Sequence, residues 1–224
     1  MNIDLDGRTA LISGSSQGIG LAIATELARA GARVVLNGRS ASALDSAEEQ
    51  LLKDVPGARV IVVPADLATA DGVETLVEKV PVVDILVNNL GIFGAKPALD
   101  IDDDEWRRYF EVNVLSAIRL IRTYLPAMTE AGWGRIQNIC SDSAVVIPEE
   151  MIHYGMTKTA LLAVTRGFAK AAAETGVTVN SVIVGPTHTE GVEKFVGELV
   201  GDELPWDEAQ AQFMKEHRPQ SLIG

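Results

Sequence analysis

The sequence predicts a single α/β domain in which a doubly wound, parallel sheet carries helices on both faces. Short apolar runs alternate with helical stretches from residue 9 to residue 184, and no repeat or low-complexity linker interrupts them. Strands separated by helices imply right-handed crossovers and a parallel sheet. Hydrophobic residues make up 47% of the chain and aromatic residues only 5%. The core must then be built from Ala, Val, Ile and Leu, which suits a sheet buried between helices. At 224 residues the chain is long enough for one well-buried domain and too short for two.

Residues 9–13 form the first apolar strand. It breaks into Gly14-Ser-Ser-Gln-Gly18-Ile-Gly20 ahead of a helix over 21–30. Glycines allow positive φ and close backbone approach, and the free amides of a helix N-terminus attract phosphate. Gly14-x-Ser16-x-Gly18 also fits the nucleophile elbow of a serine hydrolase, a rival at this point. The second strand, 34–36, ends in Asn37-Gly38-Arg39-Ser40 before a helix reaching about residue 54. The end of that strand faces the adenosine ribose in a nucleotide-binding sheet. Asn37 and the cation Arg39 stand there in place of an acid, which favours a 2′-phosphate and hence NADP, with NAD possible.

A third strand, 59–64, leads to Ala65-Asp66-Leu67 and a helix over 73–80, and a fourth, 82–87, closes in Asn88-Asn89-Leu90-Gly91. Ligands of such sheets lie beyond the carboxyl ends of the strands, so Gly14, Arg39, Asp66 and 88–91 gather on one rim. The acidic run Asp100, Asp102, Asp103, Asp104, Glu105 has partial calcium-loop spacing with Glu111, but Glu105 stands where that loop needs glycine. Acids opening a helix are the better reading. A long helix covers 111–130 with Asn113 near its start, the fifth strand is 134–141, and the sixth is 177–184, closed by Gly185-Pro186-Thr187. Between the last two strands, Ser141 precedes a helix carrying Tyr154 and Lys158, which runs to about residue 174. Four residues bring a phenol and an ammonium to one helix face. The ammonium is then expected to lower the phenol pKa toward a useful range.

The net charge of -12 argues against a nucleic-acid or anionic-membrane surface. Cys140 is the single cysteine, expected as a small buried hydrophobe in a reducing compartment. No signal peptide or membrane span is recognisable, so a cytoplasmic location is expected. Glu150, His153, His188 and His217 make no complete ligand set, and no metal is expected.

Jointly, SGSSQGIG at 13–20, NNLG at 88–91, Asn113, Ser141, YGMTK at 154–158 and GPT at 185–187 resemble the short-chain dehydrogenase/reductase family over nearly the whole chain. The resemblance displaces the elbow reading, which leaves the later motifs unexplained. It implies a Rossmann-type fold and an oxidoreductase that interconverts a carbonyl and a secondary alcohol. Gly14, Gly18 and Gly20 would approach the pyrophosphate, with Ser16 and Ile19 in the same turn. Asp66 would contact the adenine with Leu67 beside it, Asn88 and Gly91 would line the cofactor groove, and Thr187 would reach the carboxamide. Tyr154 would be the general acid/base and Ser141 would hydrogen-bond the substrate oxygen. Lys158 would bind ribose hydroxyls and lower the Tyr154 pKa, and Asn113 would hold a relay water.

Leu90 replaces the usual alanine of NNAG, and Val184-Gly185-Pro186 replaces the usual Pro-Gly. Family members continue through a further helix and edge strand, so the sequence ending at Gly224 is expected to be a shortened form with an exposed sheet edge. Residues 187–219 resemble a substrate lid, with helical patterns over 192–200 and 205–216 anchored by Phe195, Trp206, Phe213 and Met214. Phe93, Val145, Val146, Met151 and Ile152 suggest an apolar pocket. A homodimer or homotetramer is implied, packing the helices that contain Asn113 and Tyr154. The alternative is a nucleotide-sensing binding protein with the same fold and little catalysis.

Overall fold

The computed structural model describes residues 3–201, 203–219 and 221. Among these, six strands make one sheet: β1 (Thr9–Ile12), β2 (Arg33–Gly38), β3 (Arg59–Pro64), β4 (Ile85–Asn88), β5 (Gly134–Ser141) and β6 (Val177–Val184). All pairings are parallel, in the order β3-β2-β1-β4-β5-β6. The order reverses between β1 and β4, which opens a crevice at their carboxyl ends.

Alternation along the strands divides the core in two. Ala10, Ile12, Val34 and Leu36 face α1 (Gly18–Arg29) and α2 (Ala41–Asp54). Leu11, Val35, Leu86 and Ile136 face α3 (Ala70–Lys79), α5 (Ser116–Glu130) and α6 (Ile152–Ala171). Leu11, Leu86 and Ile121 are fully buried and stabilise the fold by roughly 2 kcal/mol each. The sheet edges are β3 and β6, and Val182 and Ile183 are exposed on the latter.

Several boundaries depart from expectation for local reasons. β2 continues through Asn37 and Gly38 because both stay in register with Val63 and Pro64. β4 begins at Ile85 rather than residue 82, after the Asp84 carboxylate accepts from Thr9 N and Arg8 Nη1, each at 2.8 Å. α3 starts at Ala70, since the Thr69 hydroxyl caps Gly72 N at 3.0 Å. The acidic run opens α4 (Asp103–Phe110), capped by Asp102 accepting from Glu105 N at 2.8 Å. α4 passes into α5 through a π-helical turn, Glu111–Leu115, that holds Asn113. Such turns offset the helix face by one residue.

A buried polar chain crosses the sheet just below its working rim. Asn88 Nδ2 donates to Asn138 Oδ1 at 2.7 Å, Asn138 Nδ2 donates to Thr165 Oγ1 at 2.8 Å, and Thr165 and Ser181 share a hydroxyl contact at 2.7 Å. β4, β5, α6 and β6 are thereby tied together. Beyond β6, α7 (Glu190–Val200) and α8 (Trp206–His217) pack against each other through Phe195, Val196, Ala209 and Phe213, with Met151 beneath. No described helix is long and apolar enough to cross a membrane.

Candidate active site

The crevice opens into a cleft of about 790 Å³. One wall is the start of α1, from Gln17 to Gly20. The other carries Tyr154 and Lys158, and the loop 187–192 closes the top. Gly14 has φ +63°, and a β-carbon on Gly20 would come 2.4 Å from Gly14 O and 2.6 Å from Asn89 Nδ2. Only glycine fits at Gly20, which lets the backbone of the turn approach a ligand. No side chain caps α1, whereas Ser40, Thr69, Asp102 and Thr189 cap α2, α3, α4 and α7. Its first amides are open toward the cleft, and the helix dipole favours an anion there. Ser16 lies beside Gly38, while the buried Ser15 accepts from Asn37 N at 2.9 Å and donates to Ile12 O at 2.7 Å.

Asn37 is not available to a ribose. It is 1% exposed; its amide donates to Val63 O and Ala65 O, both at 3.1 Å, and its oxygen accepts from Gly14 N at 3.4 Å. This corrects the pairing of Asn37 with Arg39, because the extension of β2 turns Asn37 inward. Arg39 is exposed and makes no ion pair among the described residues. Asp66 accepts from Ala68 N at 3.1 Å and the Leu67 side chain is buried in the core; neither residue lines the cleft itself. Asn88 likewise turns its side chain into the sheet. Asn89 and Gly91 line the cleft instead, with Asn89 Nδ2 donating to Gly14 O at 2.8 Å and Ser13 O at 3.1 Å.

Ser141 ends β5, and Tyr154 and Lys158 share one face of α6. Lys158 is 5% exposed; its ammonium donates to Ile139 O at 2.9 Å and sits 5.6 Å from the centre of the Tyr154 ring. Burial pushes the Lys158 pKa down to about 8. Burial also pushes the Tyr154 phenol up to about 12, with Ser141 pulling the other way. Desolvation of the buried phenolate is the largest cause, and the Asp142 carboxylate adds to the rise. Asn113 donates to Ile92 O at 2.9 Å and Thr157 Oγ1 at 3.0 Å and accepts from Ile92 N at 2.8 Å. Both amide protons are engaged, so its side chain clamps the chain after Gly91 to α6. Thr187 lines the cleft, its hydroxyl donating to Gly185 O at 3.1 Å.

A side pocket of about 130 Å³ continues past Ser141 and Tyr154. Phe93 and Met151 line it as expected, together with Phe195 and Phe213. Val145 and Val146 face solvent instead, because a 3₁₀ turn at Asp142–Ala144 carries them outward. Asp142 and Arg218 also border this pocket. Sequence reasoning passed over both. Asp142 was findable as the neighbour of Ser141, whereas Arg218 lies after α8 with no motif around it. Among the described residues no three His, Cys, Asp or Glu side chains cluster as a metal site.

A parallel sheet with a glycine turn and an open helix N-terminus beside one cleft defines a protein of the dinucleotide-binding, Rossmann class. Sequence comparison narrows the class. The pattern described as short chain dehydrogenase matches residues 8–198, and the chain belongs to the short-chain dehydrogenase/reductase family, whose oxidoreductases use NAD(P). It is 46% identical over 226 residues to the uncharacterized oxidoreductase YvaG of Bacillus subtilis, covering 100% of this chain and 85% of the relative. D-beta-hydroxybutyrate dehydrogenase of Rhizobium meliloti is 37% identical over 191 residues, covering 84% of this chain and 74% of that enzyme. L-sorbose reductase from Gluconobacter frateurii, solved with NADPH and L-sorbose, superposes with a TM-score of 0.90 at 34% identity, covering 98% of this chain and 85% of the other.

Proposed function

We propose that the protein is an NADP(H)-preferring oxidoreductase that interconverts a carbonyl and a secondary alcohol. The observation that carries this reading is the shared cleft, with the uncapped start of α1 on one wall and Tyr154 and Lys158 on the other. The residues fit the dinucleotide. A β-carbon at Gly20 would fill the cradle, the α1 amides would hold the pyrophosphate, and the free guanidinium of Arg39 would meet a 2′-phosphate. Asp66 and the Leu67 backbone would border the adenine, and Asn89, Gly91 and Thr187 the nicotinamide half. Relatives solved with NADPH and with NADP, the latter a Beutenbergia cavernae protein described as a putative NAD(P)-dependent gluconate 5-dehydrogenase, at TM-score 0.83 and 32% identity, support the same preference.

The bound nicotinamide would supply or accept the hydride. Tyr154 Oη would pass a proton to the carbonyl oxygen during reduction and take it back during oxidation, while Ser141 Oγ would donate a hydrogen bond to the same oxygen. Lys158 would bind the ribose and place positive charge beside the phenol. With the Asn113 amide protons committed, a relay water would be left to its second oxygen lone pair and to backbone groups of the π turn. The segment 187–219 would close the pocket as a lid. The test is NADPH consumption with a panel of small ketones. NADPH binding without turnover across that panel would instead favour a nucleotide-sensing protein.

A further inference from the structure

The side pocket contains two charged groups that carbonyl reduction as such does not require. Arg218 is 6% exposed and held by its surroundings. Its Nη1 donates to Glu150 Oε1 at 3.0 Å and to His217 O at 2.5 Å, Nη2 meets Met151 Sδ at 3.4 Å, and the guanidinium lies 5.0 Å over the Phe213 ring. A guanidinium has five N–H donors. These contacts engage three, one of them with a weak thioether acceptor. The Nε proton and one Nη2 proton have no hydrogen-bond partner among the described residues. A rigidly held arginine with donors left over thus borders the cavity that contains Ser141 and Tyr154.

Asp142 presents the complementary need. Its Oδ1 accepts the Ser141 hydroxyl at 3.0 Å, and a serine has one proton to donate. When Ser141 turns that proton to a substrate carbonyl oxygen, Asp142 loses its donor in a half-buried position, which is unfavourable unless another donor replaces it. A hydroxyl on the carbon beside the carbonyl would replace it. Charge then selects among polar substrates. Glu150 is paired with Arg218 and Lys158 is turned to Ile139 O, so Asp142 is the carboxylate left at the pocket: an anion beside it is repelled, whereas a neutral oxygen can still accept from Arg218.

Building on the carbonyl–alcohol reading above, we propose that the substrate is a small uncharged hydroxyketone or its polyol product. Asp142 accepts from the hydroxyl next to the reacting carbon, and Arg218 donates to an oxygen further along the chain. Arg218 is then a specificity-determining residue contributed by the far end of α8.

The test uses three four-carbon ketones and a binding readout: calorimetric titration of the NADP⁺-saturated protein with butan-2-one, erythrulose and acetoacetate. Erythrulose is expected to bind about tenfold or more tighter than either of the others, the worth of one or two added hydrogen bonds. Arg218→Met should reduce that preference by about tenfold while leaving butan-2-one unchanged, and Arg218→Lys should restore part of it. Asp142→Asn should weaken erythrulose and improve acetoacetate. Equal binding of erythrulose and butan-2-one overturns the proposal, as does acetoacetate binding tightest. Equal weakening of erythrulose and butan-2-one by Arg218→Met also overturns it, since Arg218 would then only anchor α8. Tight erythrulose binding without NADPH oxidation would reject the carbonyl–alcohol reading and leave the binding assignment standing.

Discussion

Lys158 Nζ donates to the carbonyl of Ile139 at 2.9 Å, so α6 reaches through the protein to hold the last turn of β5 with a buried cation. That placement costs stability, because burial brings the Lys158 pKa down to about 8. Between about 8 and the unfolded value of 10.5 the unfolded chain binds more protons at this site than the folded one. Stability therefore rises with pH across that window, and the penalty is complete below it. Lys158→Met is expected to lower turnover at least a hundredfold while leaving the protein as stable at pH 7.5, or more stable by on the order of 2 kcal/mol. Denaturant titrations at pH 7.5 and 9.5 check this, the advantage of the variant shrinking at the higher pH.

Tyr154→Phe retains the ring against Phe93, 6.2 Å away between centres, and removes only the hydroxyl. Ketone reduction should fall by about a thousandfold. NADPH affinity, measured by fluorescence titration, should change less than about threefold. Unaltered turnover would remove Tyr154 from the chemistry.

Arg39→Asp exchanges a free cation at the end of β2 for an anion. NADPH should bind about thirtyfold or more weakly, and NADH within about threefold of the parent. Equal losses for both cofactors would mean that Arg39 does not read the 2′-phosphate.

Gly20→Ala places a methyl 2.4 Å from Gly14 O, a backbone contact that cannot relax by rotating a side chain. Stability should fall by about 1–3 kcal/mol, seen in denaturant midpoints. NADPH binding should be lost more completely than stability, because the displaced turn is the phosphate cradle.

His153 packs with its ring centre 4.0 Å from that of Tyr109 at a tilt of 49°, is 1% exposed and leaves Nδ1 without a partner among the described residues. Burial lowers its pKa below 6.5. Its contribution to stability is thus present above about pH 6.5 and lost as pH falls, because the unfolded chain takes up the proton first. His153→Phe should lessen the loss of stability between pH 7.5 and 5, measured by thermal melts of both proteins.

The strand ends and the glycine turn were legible in the sequence because a parallel sheet places every β-to-α connection on one rim, and the motifs stand at those connections. The direction of side chains was less legible. Asn37 reads as a loop residue until β2 is paired with β3 through Gly38, after which its side chain must point inward. Asn88 and Asn89 are identical letters, and only the pleat decides which faces the cleft. The π turn around Asn113 has no compositional signature. The raised pKa of Tyr154 depends on burial of the phenol, which helix spacing cannot convey. Arg218 comes 77 positions after Ser141 and meets its pocket only through the packing of α7 and α8.

The chain of buried amides and hydroxyls from Asn88 through Asn138 and Thr165 to Ser181 works as an alignment jig. It joins the strand that leads to Gly91, the strand that ends at Ser141 and the helix that bears Tyr154. An apolar residue of equal volume at Asn138 could leave the fold intact and yet let these parts drift by fractions of an ångström. Substitutions there would strand the Asn88 amide and lower the melting temperature, and they would also be recorded as defects of catalysis in a protein that has lost nothing that touches the substrate.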